Sequence, residues 1–123
     1  MPVALNTTLR NARSTAISTE AGATAKLTAY TSAYGAELYT STCAATLGTA
    51  AGGVLTFNAV ANATATGAGN AAIARLFKTD GTTMVMEGLT VGTSGTNIII
   101  TNVVIAISDV VTTTSGTITE GNA

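Results

Sequence analysis

Residues Ile73 to Gly88 read Ile-Ala-Arg-Leu-Phe-Lys-Thr-Asp-Gly-Thr-Thr-Met-Val-Met-Glu-Gly, and their alternation decides the fold. Two strand-like runs flank Asp80-Gly81, the dipeptide that most readily adopts the positive φ angles of a tight hairpin turn. In the first run Ile73, Arg75 and Phe77 share one face, and Ala74, Leu76 and Lys78 share the other. In the second, Met84 and Met86 alternate with Val85 and Glu87. Bulky apolar groups on both faces predict a hairpin inside a sheet rather than at its rim.

Outward from the hairpin the period of two continues. Ala25–Thr31, Glu37–Cys43 and Val54–Ala59 are expected strands, with Ala50–Gly53 a flexible corner before the third. Asn62–Asn70 reads as a surface loop and Val91–Thr96 as a second glycine-punctuated turn. Asn97–Thr101 is a buried strand, and Val110–Thr119 is the last strand, bulged at Gly116. Val103–Ile107 is a short apolar run that fits either strand or loop. At the other end, Pro2–Glu20 has a helical period. Leu5, Leu9, Ala12 and Ala16 recur at i, i+4, i+7 and i+11 with Ile17 beside them, started by Pro2 or Asn6 and ended by Gly22. Leu5, Leu9 and Ile17 are the residues expected to dock this helix.

The expected fold is therefore mainly β. It is an antiparallel β-sandwich or jelly-roll-like domain of about seven or eight short strands with one N-terminal α-helix. Residues 1–22 form the helix, as an arm or packed on the sheet, and residues 23–123 form the sandwich, a single domain overall.

Composition narrows the function. The chain of 123 residues holds 26 Thr, 23 Ala and 13 Gly, which favours pleated surfaces and turns over a bulky core. No Trp, two Phe and three Tyr leave that core thin, a deficit that self-association or binding to a larger surface would make good. Charged residues are 9% of the chain against roughly a quarter in typical domains. The basic residues Arg10, Arg13, Lys26, Arg75 and Lys78 are dispersed, which speaks against nucleic acid as a partner. The longest apolar run falls far short of the ~20 residues that cross a bilayer, and the N-terminal residues lack the basic-then-apolar pattern of a secretory signal, so no membrane partner and synthesis in a cytoplasm are expected.

Chemistry is scarce. There is no His and one Cys, Cys43, so no internal disulfide, zinc site or Cys-His pair is available. Cys43 reads as a small buried hydrophobe. The six carboxylates are spread along the chain, Gly92-Thr-Ser-Gly95 lacks the Lys of a phosphate loop, and Ser14 and Ser18 have no base. No catalytic, metal or cofactor residues are assigned, and an enzyme is disfavoured. Tyr30, Tyr34 and Tyr39 are interface candidates, since Tyr is common at interfaces, with buried rings whose hydroxyls are satisfied as the equal alternative; an exposed Tyr34 would also suit a sugar-binding module.

Several stretches together carry a resemblance. They are Leu-Arg-Asn-Ala-Arg at 9–13, Lys-Leu-Thr-Ala-Tyr-Thr at 26–31 and Ala-Gly-Gly-Val-Leu-Thr-Phe-Asn-Ala at 51–59. Ala-Arg-Leu-Phe-Lys-Thr-Asp-Gly at 74–81, Val-Gly-Thr-Ser-Gly-Thr at 91–96 and Ile-Thr-Glu-Gly-Asn at 118–122 complete the series. In order and spacing it resembles small virion proteins encoded in the head-gene clusters of tailed bacteriophages and prophages. Relatives often carry a longer Pro-containing segment before the Gly-Gly corner, whereas Tyr34–Gly48 here has no Pro. The resemblance implies a non-catalytic capsid cement (decoration) protein on the outer shell. Its partners would be the major capsid protein and further copies of itself, as a trimer. A low-copy tail, neck or baseplate fitting is the rival within the virion.

Overall fold

The structure is a computed structural model that describes residues 6–119. Helix α1 (Thr7–Ala21) precedes β1 (Lys26–Tyr30), a short 3-10 turn (Ser32–Tyr34), β2 (Glu37–Thr42), β3 (Gly48–Ala51) and β4 (Val54–Phe57). The two-residue strands β5 (Ala63–Thr64) and β6 (Gly69–Asn70) lead to β7 (Ile73–Phe77), β8 (Met84–Gly92) and β9 (Ile98–Ile100). Then come β10 (Val104–Ile105), β11 (Val110–Val111) and β12 (Thr113–Thr119). Eight of these strands form one sheet in the order β2-β1-β7-β8-β9-β12-β4-β3, and the short strands pair off as β10-β6 and β11-β5. The fold is mainly β with one N-terminal helix, as the sequence predicts.

The strand order forces the sheet to curl. Its two rims, β2 and β3, are consecutive in the chain and joined by residues 43–47. The six steps from Thr42 to Gly48 span at most about 21 Å of extended chain. A flat eight-stranded sheet would hold its rims about 33 Å apart. The sheet therefore wraps around one core, in which Leu27, Leu38 and Leu76 from one half join Leu47, Leu55 and Ile98 from the other. All pairings are antiparallel except β8-β9, which engages only Val91 and Gly92 with Ile98 and Ile99. So short a parallel contact needs no long crossover.

The β7-β8 hairpin lies inside the sheet, flanked by β1 and β9, as its two apolar faces predict. Its turn is wider than a two-residue turn. Lys78 N donates to Thr83 O, and the Asp80 carboxylate accepts from the backbone N–H groups of Thr82 and Thr83 and from the Thr83 hydroxyl. Those bonds hold the fully exposed Asp80 carboxyl down at about 2. The two-residue turn is elsewhere: Gly52 and Gly53, with φ +60° and +79°, join β3 to β4 at the Ala51–Val54 pair. Positive φ at both positions is the primed hairpin geometry that Gly-Gly supports. The expected flexible corner is thus the end of a strand and a defined turn.

Three further expectations change. The 62–70 loop contains β5 and β6, which pair with β11 and β10, so the undecided 103–107 run is an ordered excursion beside it. The irregularity in the last strand lies between Thr113 and Ser115, not at Gly116. Gly116 is small for a packing reason: a Cβ there would stand 2.8 Å from the Phe57 ring.

Helix α1 is capped by Asn6, whose side chain accepts from Leu9 N at 2.8 Å, and ends where Gly22 N donates to Ser18 O. Its buried face is Ser14 and Ala21, with Ile17 half-buried against the core. The face is rotated from the expected stripe: Leu9 is 46% exposed, Ala12 and Ala16 are exposed, and Leu5 lies outside the described residues. Polar pins orient the helix. Gly53 N donates to Asn11 Oδ1 at 2.8 Å, and Lys78 Nζ lies 3.0 Å from Glu20 Oε1. These contacts favour the Asn11–Ser14–Ile17 side, which a hydrophobic count alone does not weigh.

Candidate functional site

The β7-β8 register builds a polar aromatic cluster on the outer face of the sheet. Were pairing regular about Asp80-Gly81, Arg75 would oppose Met86 and Glu87 would fall on the other face. Register shifts in β8 change this, and Arg75 pairs with Glu87. Gly88, at φ +83°, absorbs one of these shifts. Arg75 Nε lies 3.4 Å from Glu87 Oε2, an ion-pair distance without hydrogen-bond alignment. The carboxylate is half exposed, so this pair contributes little stability.

Two tyrosines complete the cluster. The Arg75 guanidinium carbon stands 3.9 Å from the Tyr34 ring centroid and 5.3 Å from that of Tyr30. The rings meet edge to face with centroids 5.4 Å apart. Stacking of this kind places a cation against the negative face of the ring. The Tyr34 hydroxyl accepts from Gly88 N at 2.7 Å, so the bulge residue also anchors the ring.

The turn that delivers Tyr34 is strained. Ala33 and Tyr34 have φ of +57° and +56°, left-handed conformations that cost non-glycine residues roughly 1–2 kcal/mol each. Around them Thr31 N donates to Ala36 O and Ala36 N donates to Thr31 Oγ1. Next to them, Gly35 leaves no room for a Cβ, which would stand 2.7 Å from Thr31 Oγ1. Strain held by surrounding bonds is characteristic of sites where a side chain must be presented in one orientation.

Of the three tyrosines expected at an interface, the structure brings together Tyr30 and Tyr34. Tyr39 is a correction: it is fully buried. It pairs with Ala29 across β1, and a small neighbour leaves space for its ring on the core side. Burial pushes its phenol up to about 12, and its hydroxyl has no hydrogen-bond partner. Arg75 and Glu87 were not singled out for a site in the sequence, because the bulge that unites them leaves no signature beyond one glycine.

The rest of the molecule offers other chemistry only sparsely. Cys43 is buried and its thiol is pushed up to about 11 by desolvation, with Lys26 acting the other way. Among the described residues no three of His, Cys, Asp and Glu gather, and no helix is long and apolar enough to cross a membrane. One face of the Tyr34 ring is occupied by Arg75, which removes that face as a sugar platform. No protein-family model matches the chain, and no match was found among curated proteins or solved structures.

Proposed function

We propose that this is a capsid decoration protein. It binds the outer shell of a tailed-phage head between major capsid subunits, as a homo-oligomer, and stabilises the shell without catalysis. The observation that carries the reading is the Arg75–Tyr34–Tyr30 stack on the outer face of the sheet, fixed by a strained turn and a bulge. Arg and Tyr are the residue types in which binding energy concentrates at protein interfaces. The resemblance described above supplies the capsid, and three of its segments fall on β1, on the β3-β4 turn and on β7, all in the one sheet. Repetition over many equivalent shell sites turns a modest contact per copy into a large stabilisation of the head.

The test is to add purified protein to assembled shells that lack it. Co-sedimentation near one copy per capsid subunit and a higher shell disruption temperature are expected. Arg75→Ala, folded by circular dichroism, is expected to weaken binding at least about tenfold. Shells that take up no protein, or that take up the variant as well as the parent, would overturn the proposal.

A further inference from the structure

The strand β3 forms one rim of the sheet, and its hydrogen-bond alternation can be followed residue by residue. Asn58 N donates to Leu47 O at 2.8 Å, which makes Leu47–Asn58 a hydrogen-bonded pair. In antiparallel pairing these alternate, so Thr49–Thr56 and Ala51–Val54 are the next such pairs. Ala50, opposite Leu55, therefore aims its N–H and C=O away from β4, toward the rim. The opposite rim, β2, is covered: Ala61 N donates to Thr42 O, and Thr66 N and Gly67 N donate to Leu38 O.

Sheet rims are normally guarded by Lys, Pro or a covering segment that prevents edge-to-edge pairing. Strand β3 reads Gly-Thr-Ala-Ala and carries no charge and no Pro. Beside it runs a groove of ≈ 570 Å³ between the rim and the C-terminal half of α1. Thr15, Ser18 and Thr19 line the helix side, and Gly48, Thr49 and Ala50 line the strand side. The walls are small and uncharged, so what fits is extended main chain with small, uncharged side chains. Strand β3 is itself such a segment, so the rim is complementary to a second copy of itself.

We infer that β3 of one copy pairs antiparallel with β3 of a second copy across a two-fold axis at Thr49. The main-chain groups of Ala50 then bond to the second copy, and the two sheets become one continuous sheet. A two-fold contact of this kind uses the same surface on both copies and closes at a dimer. The inference rests on the rim alone and stands or falls independently of the capsid reading. It differs from the trimer that the resemblance implies.

The test is sedimentation equilibrium of the full chain, with amide exchange at Ala50 followed over a dilution series. A dimer is expected, with the Ala50 amide protected when concentrated and fast-exchanging when dilute. Thr49→Lys changes only an exposed side chain and sets like charges against each other at the axis. It is expected to raise the dimer dissociation constant at least about tenfold while leaving the unfolding temperature of the dilute, monomeric chain unchanged. Ala50→Pro removes the outward donor without touching the bonds to β4 and is expected to give a monomer. If that variant fails to fold, Thr49→Lys still decides the matter. A chain monomeric at every concentration, a trimer, or a dimer that Thr49→Lys leaves intact would overturn the inference.

Discussion

Tyr34 and Tyr39 flank the start of β2 and end on opposite sides of the sheet, where the same phenol is used in two ways. Tyr39 contributes volume: its ring is fully buried beside Ala29, and its hydroxyl bonds to nothing. Tyr34 contributes geometry: its backbone is strained, its ring stacks on Arg75 and its hydroxyl holds Gly88 N–H. The core side is thus built by hydrophobic filling with a polar atom left idle. The outer side is built by polar bonds that hold an otherwise unfavourable conformation. A residue whose polar atom is idle reports on packing, and one whose polar atom is engaged reports on presentation.

Truncation breaks this comparison most strongly. Tyr39→Ala removes a buried ring from a core short of bulk and is expected to destabilise the fold by about 3–5 kcal/mol. Tyr34→Ala loses one hydrogen bond, one cation–π contact and the edge-to-face contact with Tyr30, and is expected to cost about 2 kcal/mol. Urea unfolding of the two variants checks the ratio. Equal losses would mean that Tyr34 is a core residue in disguise, and the distinction between the two sides would fail.

Alkaline titration sharpens it. The phenol of Tyr39 moves from an ordinary value of 10.0 to about 12 because burial disfavours the anion. Above pH 10 the unfolded chain releases this proton before the folded one does, so stability falls as pH rises and the loss is complete near pH 12. The gap between 10.0 and about 12 corresponds to up to about 3 kcal/mol. Cys43, raised from 9.0 to about 11 by the same cause, brings the onset down to pH 9. Unfolding midpoints of the parent should therefore decline from pH 9 to 12. Tyr39→Phe should retain the part between 9 and 11 due to Cys43 and flatten above it. Parallel curves for parent and variant would show that the buried phenol does not govern alkaline stability.

The two sides were not equally legible in the sequence. The alternation of Ile73–Phe77 separates Ala74 and Leu76 from Ile73, Arg75 and Phe77, because a regular strand obeys a period of two, and the structure shows that the first set faces the core. The Gly22 stop was readable because local chemistry fixes it, and Asn6 was one of two starts on offer, the other, Pro2, lying outside the described residues. Tyr39 could not be assigned to interface or core from the sequence, because its environment depends on Ala29, a cross-strand partner that periodicity does not name. The Arg75–Glu87 pair was hidden by register shifts in β8, each of which reverses the faces beyond it. The helix face was misread for a different reason. A stripe of Leu and Ala predicts the docking side, yet polar contacts of Asn11 to Gly53 and of Glu20 to Lys78 orient the helix. Across the molecule, signals carried within an element were readable, and those carried between elements were not.

Removing a single oxygen from each tyrosine gives the smallest expected effect and the most discriminating one, because the signs should be opposite. In Tyr39→Phe a buried hydroxyl without a partner is lost, so its desolvation cost disappears and stability should rise by about 1 kcal/mol. In Tyr34→Phe the Gly88 N–H loses its acceptor and the strained turn loses an anchor, so stability should fall by about 1 kcal/mol. Both substitutions keep the ring, so the packing term nearly cancels within each pair. Denaturant midpoints at pH 7 measure both, and amide exchange at Gly88 adds a local readout, since only Tyr34→Phe should accelerate it. If Tyr39→Phe proved destabilising, its hydroxyl would have to bond to a buried water or a neighbouring group. The idle oxygen would then be a structural bond, and the two tyrosines would differ in location but not in kind.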